Sequence, residues 1–362
     1  MNTQGWLAAD LPINKRNPLN ANGAFVQLRN GDILFAYNRI LARENDGFGA
    51  EISGVCSHDG GISWSSPAVI IATDAQDTQG DISNLSFLRL ADNKLAMFYT
   101  ALRKPDDLRL YLRVSPDEGH TWSAESACMA YPGYFSVIND RVARLSSGRI
   151  IIPAAYHDQL PEGERAPGMT GERVFTSINF SGTCHFFYSD DDGRTWNIAP
   201  GMAASNVQCS FTGLQEPGIV ELASGVIWGF ARTDLGRHYE FFSFDKGLTW
   251  TQAQPSRFTG PCSPMAIKRA PGGSLVAVWN PVPTYLSQEY DQPRPLRSRL
   301  VYAISWDEGA SWQEEALVED DSTGDFTHPS VFFARDAMLL SYNATMGNEV
   351  KNGAIRIRRI PI

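Results

Sequence analysis

One eight-residue pattern, S-x-D-x-G-x-[ST]-W, occurs five times in this 362-residue chain. The copies begin at Ser57, Ser115, Ser189, Ser243 and Ser305 and end at Trp64, Trp122, Trp196, Trp250 and Trp312. Successive copies start 58, 74, 54 and 62 residues apart. Length alone would suggest two or three domains, but repetition at this period points to one supersecondary unit used again and again. The copies lie between strand-like runs, such as Ala50 to Cys56 before the first and Tyr239 to Phe242 before the fourth. The Asp carboxylate can accept hydrogen bonds from the N–H groups of a tight turn. The Gly can hold a positive φ without a steric penalty, and the Trp supplies a large apolar anchor. The pattern therefore reads as a hairpin staple, with its aspartates structural rather than catalytic.

Strand signals dominate the rest of the chain: short apolar or alternating runs separated by Gly, Asp, Asn and Pro, with no long helical periodicity. A weaker repeat runs out of phase with the staples. Each copy opens on a polar residue, continues through a mostly apolar strand, and turns. The openings are Asn22, Asn84, Asn139 (in Asn139-Asp140-Arg141), Glu216, Ser263 and His328; the turns include Asn30-Gly31, Ser147-Gly148 and Gly272-Gly273. Six openings with five staples predict an all-β fold, a six-bladed β-propeller occupying residues 1–362 as a single domain. The N-terminal segment near Ile13 is expected to complete the last blade beside the run Gly353 to Ile362. Each opening residue then stands at one mouth of the central channel, where a ring of polar groups suits a polar ligand. The competing reading is that these side chains cap strand ends. Glu216 stands out from it, beside Pro217 and inside a longer motif.

Charge and composition narrow the partners. The net charge is −9, with no cluster of Lys and Arg along a face, so nucleic acid is not an expected partner. No apolar run reaches about 18 residues, so no membrane-spanning helix is expected. Met1-Asn2-Thr3-Gln4-Gly5-Trp6 lacks the basic start and apolar core of a secretory leader, which gives an expected cytoplasmic location. A chain shortened by cleavage would read the same and leaves a secreted or periplasmic location open. Cys56, Cys128, Cys184, Cys209 and Cys262 are odd in number and lack CxxC spacing, which favours reduced, mostly buried thiols; a Cys209–Cys262 pair stays open. No HExxH, EF-hand loop or zinc-spaced Cys/His cluster appears, so no metal or cofactor is expected. The six histidines are scattered and read as surface or core residues.

The staple is similar to the Asp-box of the sialidase superfamily, which joins the outer two strands of a propeller blade away from the active site. Gln215 to Leu222 followed by Trp228 to Arg232 resembles the part of sialidases that carries a buried Glu and, sixteen residues later, an Arg; the matching positions are Glu216 and Arg232. Arg297 fits the spacing of a further family arginine ahead of the fifth staple better than Arg299 does. In that family three arginines clamp the substrate carboxylate, a bidentate task that lysine cannot reproduce. The family's proton donor matches Asp46, with Glu44 and Glu51 as substitutes. Two positions depart. Ala21-Asn22-Gly23 stands where the first arginine belongs, leaving Arg39, Arg43 or Arg141 to reach that space. His328 stands where the nucleophilic tyrosine belongs, with Tyr134, Tyr285 and Tyr290 as alternative phenols.

The resemblance implies a glycoside hydrolase that removes a terminal acidic sugar, sialic acid or a related ulosonic or uronic acid. Asp46, Glu216 and His328 would act at the glycosidic bond. Arg232 and Arg297 would hold the carboxylate, and Asn22, Asn84, Asn139, Arg141 and Arg39 would line the site. The partner is then a glycan or small acidic sugar, with the oligomeric state left open. The alternatives are a carbohydrate-binding propeller without turnover and a glycosidase acting on a different, non-sialic sugar.

Overall fold

The computed structural model describes residues 3–42, 48–72, 81–161, 178–285, 297–346 and 353–362. They form strands and turns, and among them no helix is long and apolar enough to cross a membrane. The strands make a six-bladed β-propeller. Blade one contains Leu19–Gln27, Ile33–Ala42, Phe48–Ser57 and Ala68–Ala72 in that spatial order. Blade two follows with Asp81–Arg89, Leu95–Lys104, Asp107–Ser115 and Ser126–Ala127. In blade three Ala143–Arg144, Ile150–Gln159, Ile178–Ser189 and Asn197–Ile198 pair in turn. The extra strand Tyr134–Ser136 fuses blades two and three through a single parallel pair, Tyr134 with Leu108. Blades four and five run from Gln215–Glu221 to Gln254–Thr259 and from Ala266–Arg269 to Ala316–Asp320.

The sixth blade closes the ring. Asp325–Phe333, Ala337–Thr345 and Ala354–Pro361 come from the C-terminal part, and Trp6–Leu11 adds the outermost strand antiparallel to Ala354–Pro361. The closing strand thus ends at Leu11, just short of the expected Ile13. Ile13 instead packs over Gly353, where a Cβ would lie 2.4 Å from the isoleucine side chain. Each staple joins the third and outermost strands of its blade. In blade six those strands lie at opposite ends of the chain, so no staple is needed and five serve six blades.

The staples share one hydrogen-bond pattern. In the first, Ser57 Oγ donates to Asp59 Oδ1 at 2.8 Å and accepts from Gly61 N–H at 2.8 Å. Asp59 also accepts from the Ser63 N–H at 2.9 Å and the Ser63 hydroxyl at 2.5 Å. The staple at Asp117 repeats this, and bonds from the Thr121 hydroxyl and N–H hold its carboxyl down to about 2. Gly119 sits at φ 94°, a conformation that disfavours side chains. The tryptophans do more than anchor their own hairpins: each wedges against the preceding blade. Trp250 stacks on Phe186 of blade three at 4.0 Å between ring centroids, and Trp312 meets Trp228 of blade four at 6.4 Å.

A second device locks neighbouring blades at the staple end. Glu118, in the second staple, accepts from the Arg29 N–H in the blade-one turn at 2.8 Å. Arg89 of its own blade grips the same carboxylate through two bonds, at 2.6 and 2.8 Å, and donates to the Gln27 carbonyl at 3.0 Å. Glu308, Arg269 and the Ala223 N–H repeat this clamp between blades five and four. Charge-assisted bonds of this kind contribute more than neutral ones. We expect Glu118→Ala to cost about 1–3 kcal/mol of stability, because it removes three hydrogen bonds to a charged group at once. A melting curve or denaturant titration checks this. All five cysteines are free thiols; Cys128, Cys184 and Cys262 are buried and Cys209 is exposed.

Candidate functional site

The openings of the inner strands share a backbone irregularity. In blades one, two, four and six the pairing between first and second strands slips at Asn22-Gly23, Asn84-Leu85, Glu216-Pro217 and His328-Pro329. The first residue of each pair is left-handed, with φ of 55°, 59°, 50° and 55°. Such a bulge re-aims a side chain at the end of a strand. The left-handed region costs an L-residue roughly 1–2 kcal/mol, and such strain concentrates where function needs it. In blade three the left-handed residue is Asp140, at φ 60°, one position after the expected Asn139. The inner strand there is only Ala143–Arg144, so the opening is a loop rather than a bulged strand. Blade five also departs: Ser263 is buried and its hydroxyl donates to Asn280 Oδ1 at 2.7 Å.

Blade three reaches across the axis. Asn139, fully buried, donates from Nδ2 to the Gly23 carbonyl of blade one at 3.0 Å and is 3.5 Å from the His328 carbonyl of blade six. Asp140 accepts from Lys268 Nζ of blade five at 2.8 Å and from the Ser330 hydroxyl of blade six at 3.0 Å. Arg141 donates from Nη2 to the Met265 carbonyl at 2.5 Å. Burial draws its guanidinium down to about 10 against the opposing charges of Asp140 and Glu216, which leaves it cationic at neutral pH. These three residues tie the inner ends of blades one, three, five and six together.

Glu216, Arg232 and His328 come together. Glu216 lies in the inner strand of blade four, and Arg232 ends the strand beside it. Arg232 Nη1 is 3.1 Å from Glu216 Oε2, while its Nε and Nη2 donate to Gln215 Oε1 at 3.2 and 2.9 Å. Gln215 is fixed in turn by the Phe180 carbonyl, 2.6 Å from its Nε2. The other carboxylate oxygen, Glu216 Oε1, is 3.9 Å from His328 Nε2. A carboxylate, a guanidinium and an imidazole, each mostly buried, thus stand together at the inner-strand openings.

Two further histidines belong to this environment. His157 is buried, has Nδ1 3.0 Å from the Asn179 carbonyl, and packs edge-on against Tyr134 at 5.7 Å between ring centroids. Burial lowers its proton affinity, with smaller opposing and reinforcing effects from Asn179, Arg232 and Glu216. His238 is fully buried, and burial followed by the Arg141 and Arg232 charges pushes it down from 6.5 to about 3. Both are neutral at physiological pH. The unfolded chain takes up a proton at His238 near its ordinary value and the native state does not. Stability is therefore complete above about pH 6.5 and falls as the pH drops towards 3. We expect the melting temperature to decline across that window and the slope to flatten in His238→Asn; an unchanged slope would remove His238 as a cause. Both residues were hidden in sequence because they stand at the ends of second and third strands, and only the register shows which ends face the mouth.

The remaining candidates distribute as follows. Arg297 is buried; its Nη2 donates to the Cys262 carbonyl at 2.7 Å and its own carbonyl accepts from the Phe326 N–H at 3.0 Å. That places it at the seam of blades five and six, beside the blade-five opening. Arg299 turns to the surface and pairs with Asp320 at 2.9 Å. Asn22 donates to Asn84 Oδ1 at 2.7 Å and accepts from Asn343 Nδ2 at 3.1 Å, which links blades six, one and two. Arg39 pairs with Glu51 at 2.9 Å and lines a recess of about 460 Å³ with Asp10, Asn17, Asn20, Tyr37 and Trp64. Tyr285 is exposed over Gly236. Asp46, Glu44, Arg43 and Tyr290 lie outside the described residues.

Comparison with known proteins fits this geometry. The model of the BNR repeat-like domain matches residues 31–340. The chain belongs to the BNR repeat-like domain family. Among curated proteins no match is found. Among solved structures, this BNR-repeat propeller is similar to a protein of unknown function from Dyadobacter fermentans DSM 18053, with a TM-score of 0.70 and 19% identity over 98% of this chain and 99% of that one. It is also similar to a Hadza microbial sialidase, with a TM-score of 0.71 and 15% identity over 96% of this chain and 66% of that one. The leech intramolecular trans-sialidase gives a TM-score of 0.68 and 12% identity over 100% of this chain and 70% of that one. At such identities the likeness is one of fold, and the fold of this BNR-repeat chain is that of the sialidase superfamily.

Proposed function

We propose that this BNR-repeat propeller is a glycoside hydrolase that removes a terminal acidic sugar, sialic acid or a related ulosonic or uronic acid, from a glycan. The reading rests on one observation: Glu216 stands between Arg232 at 3.1 Å and His328 at 3.9 Å on strained inner-strand openings. Arg232, preset by Gln215, and Arg297 would receive the sugar carboxylate through charge-assisted bonds. That would leave the anomeric carbon beside Glu216 and His328. Glu216 would activate the attacking group, a water if no phenol takes part, and Asp46 would protonate the leaving oxygen. Water attack gives inversion, and attack by a protein nucleophile gives retention. Sialidases and intramolecular trans-sialidases among the fold relatives support the substrate class, although a shared fold does not assign a reaction.

One observation favours a carbohydrate-binding propeller without turnover. The blade-one opening carries Asn22, already bonded to Asn84 and Asn343, and the blade-six opening carries His328 rather than a phenol. A panel of aryl glycosides that includes the sialic acid glycoside separates the two readings. Aryl release that disappears in Glu216→Gln supports the hydrolase. Glycan binding with no release from any member of the panel supports the binding module.

A further inference from the structure

The first blade differs from its siblings at the staple end. Ile33 pairs with Ser57, and Leu34 with Cys56, so Asp32 lies opposite His58 at the base of the hairpin. Cys56 and His58 are two residues apart and point to the same face of the sheet. Their donor atoms and a carboxylate oxygen of Asp32 all lie within 4.8 Å of one another. His58 Nδ1 is already 2.8 Å from Asp32 Oδ2, and Asn30 Nδ2 steadies the same oxygen at 2.7 Å. The other blades show what this position ordinarily holds. In blade three the residues at the places of Asp32 and His58 are Arg149 and Asp190, an ordinary ion pair at 2.7 Å. At the place of Cys56 the other stapled blades carry Val114, Tyr188, Phe242 and Ile304, none of which is a metal ligand. The thiol in blade one therefore converts a cross-strand pair into a set of three different donors.

We propose that Asp32, Cys56 and His58 form a binding site for a single zinc-class divalent ion on the rim of blade one. Thiolate and imidazole select zinc, cobalt, nickel or copper over magnesium or calcium, whose preferred donors are oxygens. Three protein ligands leave a fourth tetrahedral position for water. Bond lengths of 2.0–2.3 Å require donor separations of about 3.3–3.8 Å. The His58–Asp32 pair must open from 2.8 Å while the thiol closes from within 4.8 Å, and the exposed His58 ring, with 71% of its side-chain surface accessible, can turn to supply the adjustment. On binding, the Cys56 thiol loses its proton to solvent as the metal–sulfur bond forms, and the His58 nitrogen that binds is unprotonated. The site stands at the turn end of the blade, with the inner strand from Asn22 to Gln27, about 17 Å long, between it and the mouth. It is independent of the reading of the mouth.

The test is titration of the full chain with cobalt(II), followed by absorption, with zinc competition and thermal melting. The proposal predicts one cobalt per chain with a thiolate-to-cobalt charge-transfer band and the intense visible bands of a four-coordinate ion. Zinc should displace it and raise the melting temperature. Cys56→Ser should abolish the band, His58→Ala should weaken binding at least tenfold, and Cys209→Ser, which removes the exposed thiol elsewhere, should change nothing. Absence of the band in the native chain overturns the proposal. So does a band that survives in Cys56→Ser or disappears in Cys209→Ser. Melting of each metal-free variant separates loss of ligand from loss of fold.

Discussion

Glu216→Gln is expected to lower turnover on an aryl glycoside of the preferred acidic sugar by about 100-fold or more in a protein that still folds, with a lower melting temperature because the buried Arg232 charge loses its carboxylate partner. The amide keeps the shape of the side chain beside Arg232 Nη1, which is 3.1 Å from Glu216 Oε2, so the cluster should stay assembled. It loses the negative charge and the basicity needed to activate an attacking group. The loss should therefore appear in kcat rather than KM, since Arg232 and Arg297 remain to bind the sugar carboxylate. A correctly folded Glu216→Gln protein with native kinetics would exclude Glu216 from the chemistry.

Arg232→Met is expected to have the largest effect on stability at the mouth. Arg232 is buried, with three nitrogens directed at Gln215 and Glu216. Removing one partner of a buried ion pair typically costs about 3–5 kcal/mol, because the other charge stays behind without compensation. Here the stranded group is the Glu216 carboxylate, with His328 3.9 Å away. The double variant Glu216→Gln with Arg232→Met should recover part of the loss, since no buried charge is then left alone. A coupling of about 0.5–3 kcal/mol between the two changes is the expected size. Strict additivity in denaturant titrations would show that the pair does not act as a unit in the fold.

The fold was legible because its signals are local. A staple closes over eight residues, so its Asp, Gly and Trp declare themselves without reference to the rest of the chain. The bulged openings were nearly as clear, because Asn22, Asn84, Glu216 and His328 each precede a turn by a similar interval. Blade three broke that regularity. Its opening is a loop, the left-handed residue is Asp140, and Asn139 points inward to Gly23. What remained hidden depends on register. His157, His238 and Cys56 lie on second and third strands, with Asp32 and His58 just beyond the strand ends, where the partner of a residue is defined only once the pairing is known. The role of the staple tryptophans as wedges between blades was hidden for the same reason: Trp250 meets Phe186 more than 60 residues away.

The bulges link fold to chemistry. Asn and Asp tolerate a left-handed backbone, as at Asn22, Asn84 and Asp140, whereas Glu216 holds φ 50° without that help. The position is strained for glutamate and is held by Arg232 and the adjoining strand.

The central claim is that guanidinium groups at the mouth receive the carboxylate of an acidic sugar. Calorimetric titration of Glu216→Gln, in which turnover is expected to be lost, compares sialic acid with its methyl ester. The account predicts that the acid binds at least tenfold more tightly than the ester and that adding Arg232→Met erases the difference. Equal affinity for acid and ester would contradict it.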